Sequence, residues 1–111
     1  MSNVNAPQQW VMTDGETIIV SVDCGGLLDS GELIDSVTGV TGSPSGLTIS
    51  DVQKNTVTLT INNRTVLAGQ AVQCKVTGGT ANVLYTLEAT IVTTSNPPQT
   101  RQGRCLLNVV A

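Results

Sequence analysis

The sequence predicts an all-β fold, a single β-sandwich of seven to eight antiparallel strands, and three observations predict it. Several stretches alternate apolar and polar residues strictly, as a half-buried strand does when successive side chains point to opposite faces. Turn signals rich in Gly, Asn, Asp and Pro separate these stretches every eight to twelve residues or so, the spacing of a sandwich. Threonine and valine, sixteen and fifteen of the 111 residues, are the commonest types, and both suit a pleated surface. No stretch of ten or more residues is rich in helix formers. The strand order is left open: jelly-roll-like, with an immunoglobulin-like order as the alternative. The length is that of one domain, a sandwich over 10–111 preceded by an arm over 1–9.

Taken in order, Met1 to Gln9 is polar and aperiodic, which predicts a flexible arm in isolation. Trp10-Val11-Met12 begins a first strand, and Asp14-Gly15 makes a turn. From Glu16 to Cys24, Ile18, Val20, Val22 and Cys24 face inward, with Ile19, Ser21 and Asp23 outward. Glu32 to Thr38 is a weaker strand, and the Gly/Ser/Pro-rich run from Gly39 to Gly46 is an exposed loop. Leu47–Gln53 and Thr56–Asn62 form a hairpin turning at Lys54-Asn55, with Val57, Leu59 and Ile61 inward. Gln70–Thr77 and Val83–Thr94 form a second hairpin about Gly78-Gly79. Val72, Cys74 and Val76 lie on one face of its first strand; Tyr85, Leu87, Ala89 and Ile91 lie on one face of its second. Ser95 to Gln99 holds two prolines and breaks the ladder. Arg101–Val110 closes the domain with Cys105, Leu107 and Val109 on one face.

The core is short of aromatics: no Phe, one Trp, one Tyr. Small aliphatic side chains must fill it, so stability alone is modest and association would add burial. The three cysteines fit neither a disulfide framework nor a zinc pattern, and each falls on an apolar face as a small hydrophobe does. Three reduced core thiols are expected. A Cys24–Cys74 bridge between the sheets, as in immunoglobulin domains, is the sharper alternative.

A net charge of −3, with five scattered Lys and Arg, argues against a nucleic-acid ligand. No segment approaches the ~20 apolar residues of a membrane span, and the N-terminus lacks a secretory pattern, which points to a cytosolic protein. Histidine is absent, and with it the commonest general base and metal ligand. Asp14 with Glu16, and Asp29 with Glu32 and Asp35, could pair as acid and base or offer oxygens to calcium. Their turn positions favour plain solvation, and Asp29-Ser30-Gly31-Glu32 does not match the EF-hand spacing. The expectation is no enzyme, no cofactor and no metal. Asn63-Arg64-Thr65 fits the glycosylation sequon by chance. Trp10 reads either as a cap on the sandwich core or as an interface anchor.

DGETIIVSVDC, LTISDVQKNTVTLTIN, TGGTANVLYTLEATIVTT and the closing CLLNVV together resemble the small β-sandwich structural proteins of tailed bacteriophages, the capsid decoration or staple proteins among them. The resemblance implies a jelly-roll-like sandwich bound outside an icosahedral shell, clamping neighbouring major capsid proteins. It also implies self-association as a homodimer on a two-fold axis, and a place in the virion after assembly in the host cytoplasm. On that reading the capsid contact is expected from the arm and two loops: Asn3, Asn5, Pro7, Gln8, Gln9 and Trp10, with Ser43 and Pro44, and Pro97 and Pro98. Two rivals stand beside it: a tail or fibre adaptor, and a carbohydrate-binding module whose aromatic platform would have to come from Trp10 and Tyr85.

Overall fold

The computed structural model describes residues 8–61 and 64–111. Nine strands carry almost all of its regular structure: β1 (Gln8–Thr13), β2 (Thr17–Asp23), β3 (Ile34–Ser43), β4 (Leu47–Lys54), β5 (Leu59–Ile61), β6 (Arg64–Val66), β7 (Ala71–Gly78), β8 (Val83–Thr93) and β9 (Thr100–Val110). A single 3-10 turn, Gly25–Leu27, follows β2. The abundance of β-branched residues and the even spacing of turns therefore give an all-β sandwich. Two of the nine strands, β5 and β6, are short and make a small sheet of their own.

Four strands in the order β1-β9-β8-β3 form one layer and three in the order β2-β7-β4 form the other. Within the three-stranded sheet, β2 and β7 pair without interruption from Thr17↔Thr77 to Asp23↔Ala71. In the four-stranded sheet, β8 and β9 pair from Val83↔Val109 to Val92↔Thr100. The pairing is antiparallel throughout except for β1, which runs parallel to β9 from Gln8↔Cys105 to Thr13↔Val110. This order is the immunoglobulin-like alternative and not the jelly roll: the second, fourth and fifth main strands make one sheet, the third, sixth and seventh the other. The first strand joins the latter at its edge.

The inward positions of both sheets meet in one apolar core that includes Val20, Val22, Val72, Val76, Leu87, Ile91, Leu107 and Val109. Its one large aromatic, Tyr85, is 1% exposed, and its Oη accepts the Thr80 N–H at 2.8 Å. Tyrosine thus ties the start of β8 back to the crossing that precedes it, in the manner of the tyrosine corner of immunoglobulin-like domains. Two glycines make room around it. Gly46 (φ +131°) would set a Cβ 3.2 Å from Tyr85 Oη, and Gly79 (φ +87°) would set one 3.0 Å from Cδ2 of Leu47 and 3.1 Å from Cγ2 of Val109.

Several expectations need correction. Gly78-Gly79 does not close a hairpin: β7 bonds to β2 and β4, β8 to β9 and β3, so the two glycines carry the chain from one sheet to the other. Likewise β4 pairs with β7 rather than with the strand that follows it, and β5 pairs with β6 in a separate hairpin. Val57, expected inside, is 61% exposed. The region Gly39–Ser43, expected as loop, extends β3 along β8. The Cys24–Cys74 bridge is excluded by register. Val20 pairs with Cys74 and the Cys24 N–H bonds to the Gln70 carbonyl, so the two cysteines share a sheet, four positions or roughly 13 Å apart along it. A disulfide needs Cα atoms within about 7 Å. All three cysteines are free and buried.

Candidate functional site

Between β4 and β7 the chain leaves the sandwich as a small annex, and one residue holds it. Asn55 is 2% exposed. Its Oδ1 accepts the N–H groups of Gly69, Gln70 and Ala71 at 2.9–3.1 Å, and its Nδ2 donates to the carbonyls of Val57 and Leu67 at 2.8 and 3.0 Å. Its own backbone N–H and C=O bond to Ala71 and Gly69. Ile61, Val66 and Ala71, with Leu59 against them, form a second, minor apolar cluster under the β5–β6 hairpin.

At the same end of the molecule a polar clamp joins the Asp29–Glu32 turn to the β8–β9 turn. Glu32 is 6% exposed, and its Oε1 accepts the Asp29 N–H at 3.0 Å. This bond, chiefly, holds the carboxyl below its usual pKa; the Ser95 and Thr93 hydroxyls and the more distant Arg101 act in the same direction. Its Oε2 makes no bond of good geometry among the described residues, so the hydroxyls act on it from nearby rather than as close partners. Thr93 Oγ1 bonds to Ser95 Oγ and to the Gln99 N–H, and Leu33 and Thr94 exchange two further bonds. Oε2 is the one oxygen Glu32 leaves unbonded, and it is buried. Among the described residues no three His, Cys, Asp or Glu come together as a metal site.

The thiols are chemically quiet. Burial raises Cys24 and Cys105 to about 12 and Cys74 to about 11, with the Asp23 charge adding at Cys24 and the neighbouring thiols at Cys105. A thiol held this far into the protonated form is a poor nucleophile.

What the surface offers instead is aliphatic. Among the described residues seven large hydrophobic side chains are exposed, and they fall into three groups. Val11 and Leu84 (62% and 52% exposed) flank Asn108 in one cross-strand row on the outer face of the four-stranded sheet, with half-buried Leu106 and Val110 on the rows either side. Ile19 and Val52 face outward on the three-stranded sheet. There a register break between Ser50 and Gln53, with Asp51 at φ +52°, opens a shallow cavity of about 350 Å³. Gln53, Gln73 and the Lys75–Asp51 ion pair at 3.4 Å line it. Leu33, Val57 and Leu67 gather around Asn55 and Gly69 at the annex end. Single exposed aliphatics are ordinary; clusters of them mark contact surfaces.

The residues expected at an interface separate into two places. Gln9 and Ser43 share one row, Gln9↔Leu106↔Thr86↔Ser43, at opposite edges of the four-stranded sheet, about 15 Å apart. Pro44 follows at its rim. Pro97 and Pro98 sit in the β8–β9 turn, some seven residues further along β8 from Thr86, or about 23 Å away. Trp10 is half-buried on the inner side of β1, in the row of Leu107 and Tyr85, and packs against the core. Gln8 opens β1, while Asn3, Asn5 and Pro7 lie outside the described residues. Tyr85, the other half of the aromatic platform considered above, is buried. Composition gave no sign of the Asn55 hub or of the two sheet-face patches. Ile19 was legible as outward from its alternation, and Leu84 could have been found the same way.

No family model, no curated protein and no solved structure matches the chain.

Proposed function

We propose that this chain is a non-enzymatic structural protein of a tailed-phage virion: a decoration protein that binds the outer surface of the icosahedral shell and clamps neighbouring major capsid proteins, associating with a second copy of itself. The observation that carries the reading is the grouping of exposed aliphatics on a small, threonine-rich sandwich. A clamp needs several contact surfaces at once, and this molecule offers one on each sheet and one at an end. Its surface also carries few charges, which suits close contact through hydrogen bonds and apolar burial. The buried thiols, held far into the protonated form, fit a role without chemistry.

Density for this protein on a purified virion tests the proposal. Density between capsid subunits at the icosahedral two-folds is the expected result. Density confined to the tail vertex would replace the decoration reading with that of an adaptor. Removal of residues 1–7, which leaves β1 whole, is expected to weaken binding to shells without lowering the unfolding midpoint. Undiminished binding would take the arm out of the contact.

A further inference from the structure

The outer face of the four-stranded sheet carries more than the other two patches do. Along β8 and β9 its rows read Val11–Asn108–Leu84, then Gln9–Leu106–Thr86–Ser43, then Arg104–Glu88–Thr41, then Gln102–Thr90–Gly39. Aliphatic side chains occupy one half and a charged pair the next row. Arg104 Nε and Nη2 both reach Glu88 Oε2 at 2.8 Å, and Gln102 Nε2 donates to Glu88 Oε1 at 3.2 Å.

We infer that a second copy of this chain covers this face in an isologous contact, with the two-fold axis running along the strands between β8 and β9. The inference rests on the self-association proposed above and gives it a surface. Area argues for it: four strands about 4.8 Å apart and roughly ten residues long present some 600 Å² in plan. The relief of the side chains brings that near the ~800 Å² each partner contributes to a standard interface. Charge argues for the orientation. An axis along the strands sets β9 of one copy over β8 of the other at the same level, so Arg104 meets the partner copy's Glu88 and Glu88 meets its Arg104. The four charges then alternate in sign, and the aliphatic halves coincide. An axis across the strands would set the charged row over the apolar end of the second copy, with no opposite charge facing it from the partner. Aligned face-to-face packing is also what twisted sheets favour, and an isologous patch must be complementary to itself.

Sedimentation of the full chain over a wide concentration range tests this. The wild type is expected to be a dimer. Leu84→Asp should weaken dimerisation about tenfold or more, with an unchanged far-ultraviolet spectrum as the check on folding. The charge variants give the sharper result. Arg104→Glu and Glu88→Arg should each weaken the dimer alone, and an equimolar mixture of the two should restore it, because only a mixed pair then faces unlike charges throughout. A wild-type dimer that Leu84→Asp leaves intact, with no recovery on mixing, would overturn this surface while leaving self-association standing. A wild type that is monomeric at every concentration would overturn self-association itself.

Discussion

The sandwich and its annex are held together by opposite means. In the sandwich, Leu87, Leu107, Val20, Val72 and their neighbours meet across two sheets with no polar group needed among them. In the annex, four buried or half-buried aliphatics form too small a core to hold a hairpin, and the amide of Asn55 supplies what packing cannot. Five side-chain bonds from one residue fix the backbone at Val57, Leu67, Gly69, Gln70 and Ala71. A large core tolerates the loss of one contact gradually, because each atom contributes a little. A polar hub fails more abruptly, because its loss takes several bonds together and leaves a buried group such as the Ala71 N–H without a partner.

Two substitutions put that contrast to a test. Leu107→Ala removes fully buried volume from the main core and is expected to cost about 2–5 kcal/mol, read as a lower urea midpoint and reduced exchange protection throughout both sheets. Asn55→Ala takes the Oδ1 acceptor from the Ala71 N–H and the Nδ2 donor from the Val57 and Leu67 carbonyls, while Gly69 keeps the Asn55 carbonyl and Gln70 the Leu67 carbonyl. About 2–4 kcal/mol is expected, with the loss of protection concentrated at residues 64–71. If protection fell equally everywhere, annex and sandwich would be one cooperative unit and the contrast would not hold. Asn55→Asp keeps the acceptor and loses the donor to Val57 and Leu67, so an intermediate effect is expected.

A third substitution probes the corner between the two sheets. Tyr85→Phe keeps the ring in the core and removes only the oxygen that accepts the Thr80 N–H. Thr80 is exposed, so water replaces the lost acceptor and the expected cost is about 1 kcal/mol. A loss as large as that of Leu107→Ala would mean that the corner, not the core, governs how the sheets dock.

The same contrast explains what could be read from the sequence. Alternation reports which face a side chain occupies, and it places Val22, Val76, Leu87 and Leu107 inside, where they are. It carries no information about which strand lies alongside. A glycine pair such as Gly78-Gly79 permits either a tight hairpin or a crossing between layers, and only long-range pairing of β7 with β2 decides it. The parallel pairing of β1 with β9 joins the two ends of the described chain and has no local signature. Asn55 looked like a turn residue because asparagine suits turns. That it is buried depends on residues 57 and 67–71 folding back over it. The expected contact residues belong to loops and arm in the sequence pattern, while Val11, Ile19, Val52 and Leu84 stand on strands, where pattern reading treats a lone outward Val11 or Leu84 as incidental.

The pH dependence separates the two regions once more, with the smaller effect on the acid side. The thiols belong to the apolar core. Their folded values of about 11 to 12 lie above the ordinary 9.0, so the folded state binds more protons than the unfolded one above pH 9. Stability then falls as pH rises from about 9 through 12. Replacing Cys105 with Ala should flatten part of that decline, at some cost in packing at neutral pH. Glu32 belongs to the polar clamp, and its folded pKa is lowered. Its contribution is therefore present above the usual carboxylate value of 4.5 and is lost as pH falls through the lower folded value. Glu32→Gln should remove that acid-side decline while leaving the alkaline one untouched, as read from thermal midpoints across the pH range. Since the Glu32 carboxylate bonds to the Asp29 N–H within its own turn, exchange protection at Asp29 should fall on acidification before any strand of the core opens. A decline shared equally by β2 and β7 would instead make the clamp part of the fold's global stability.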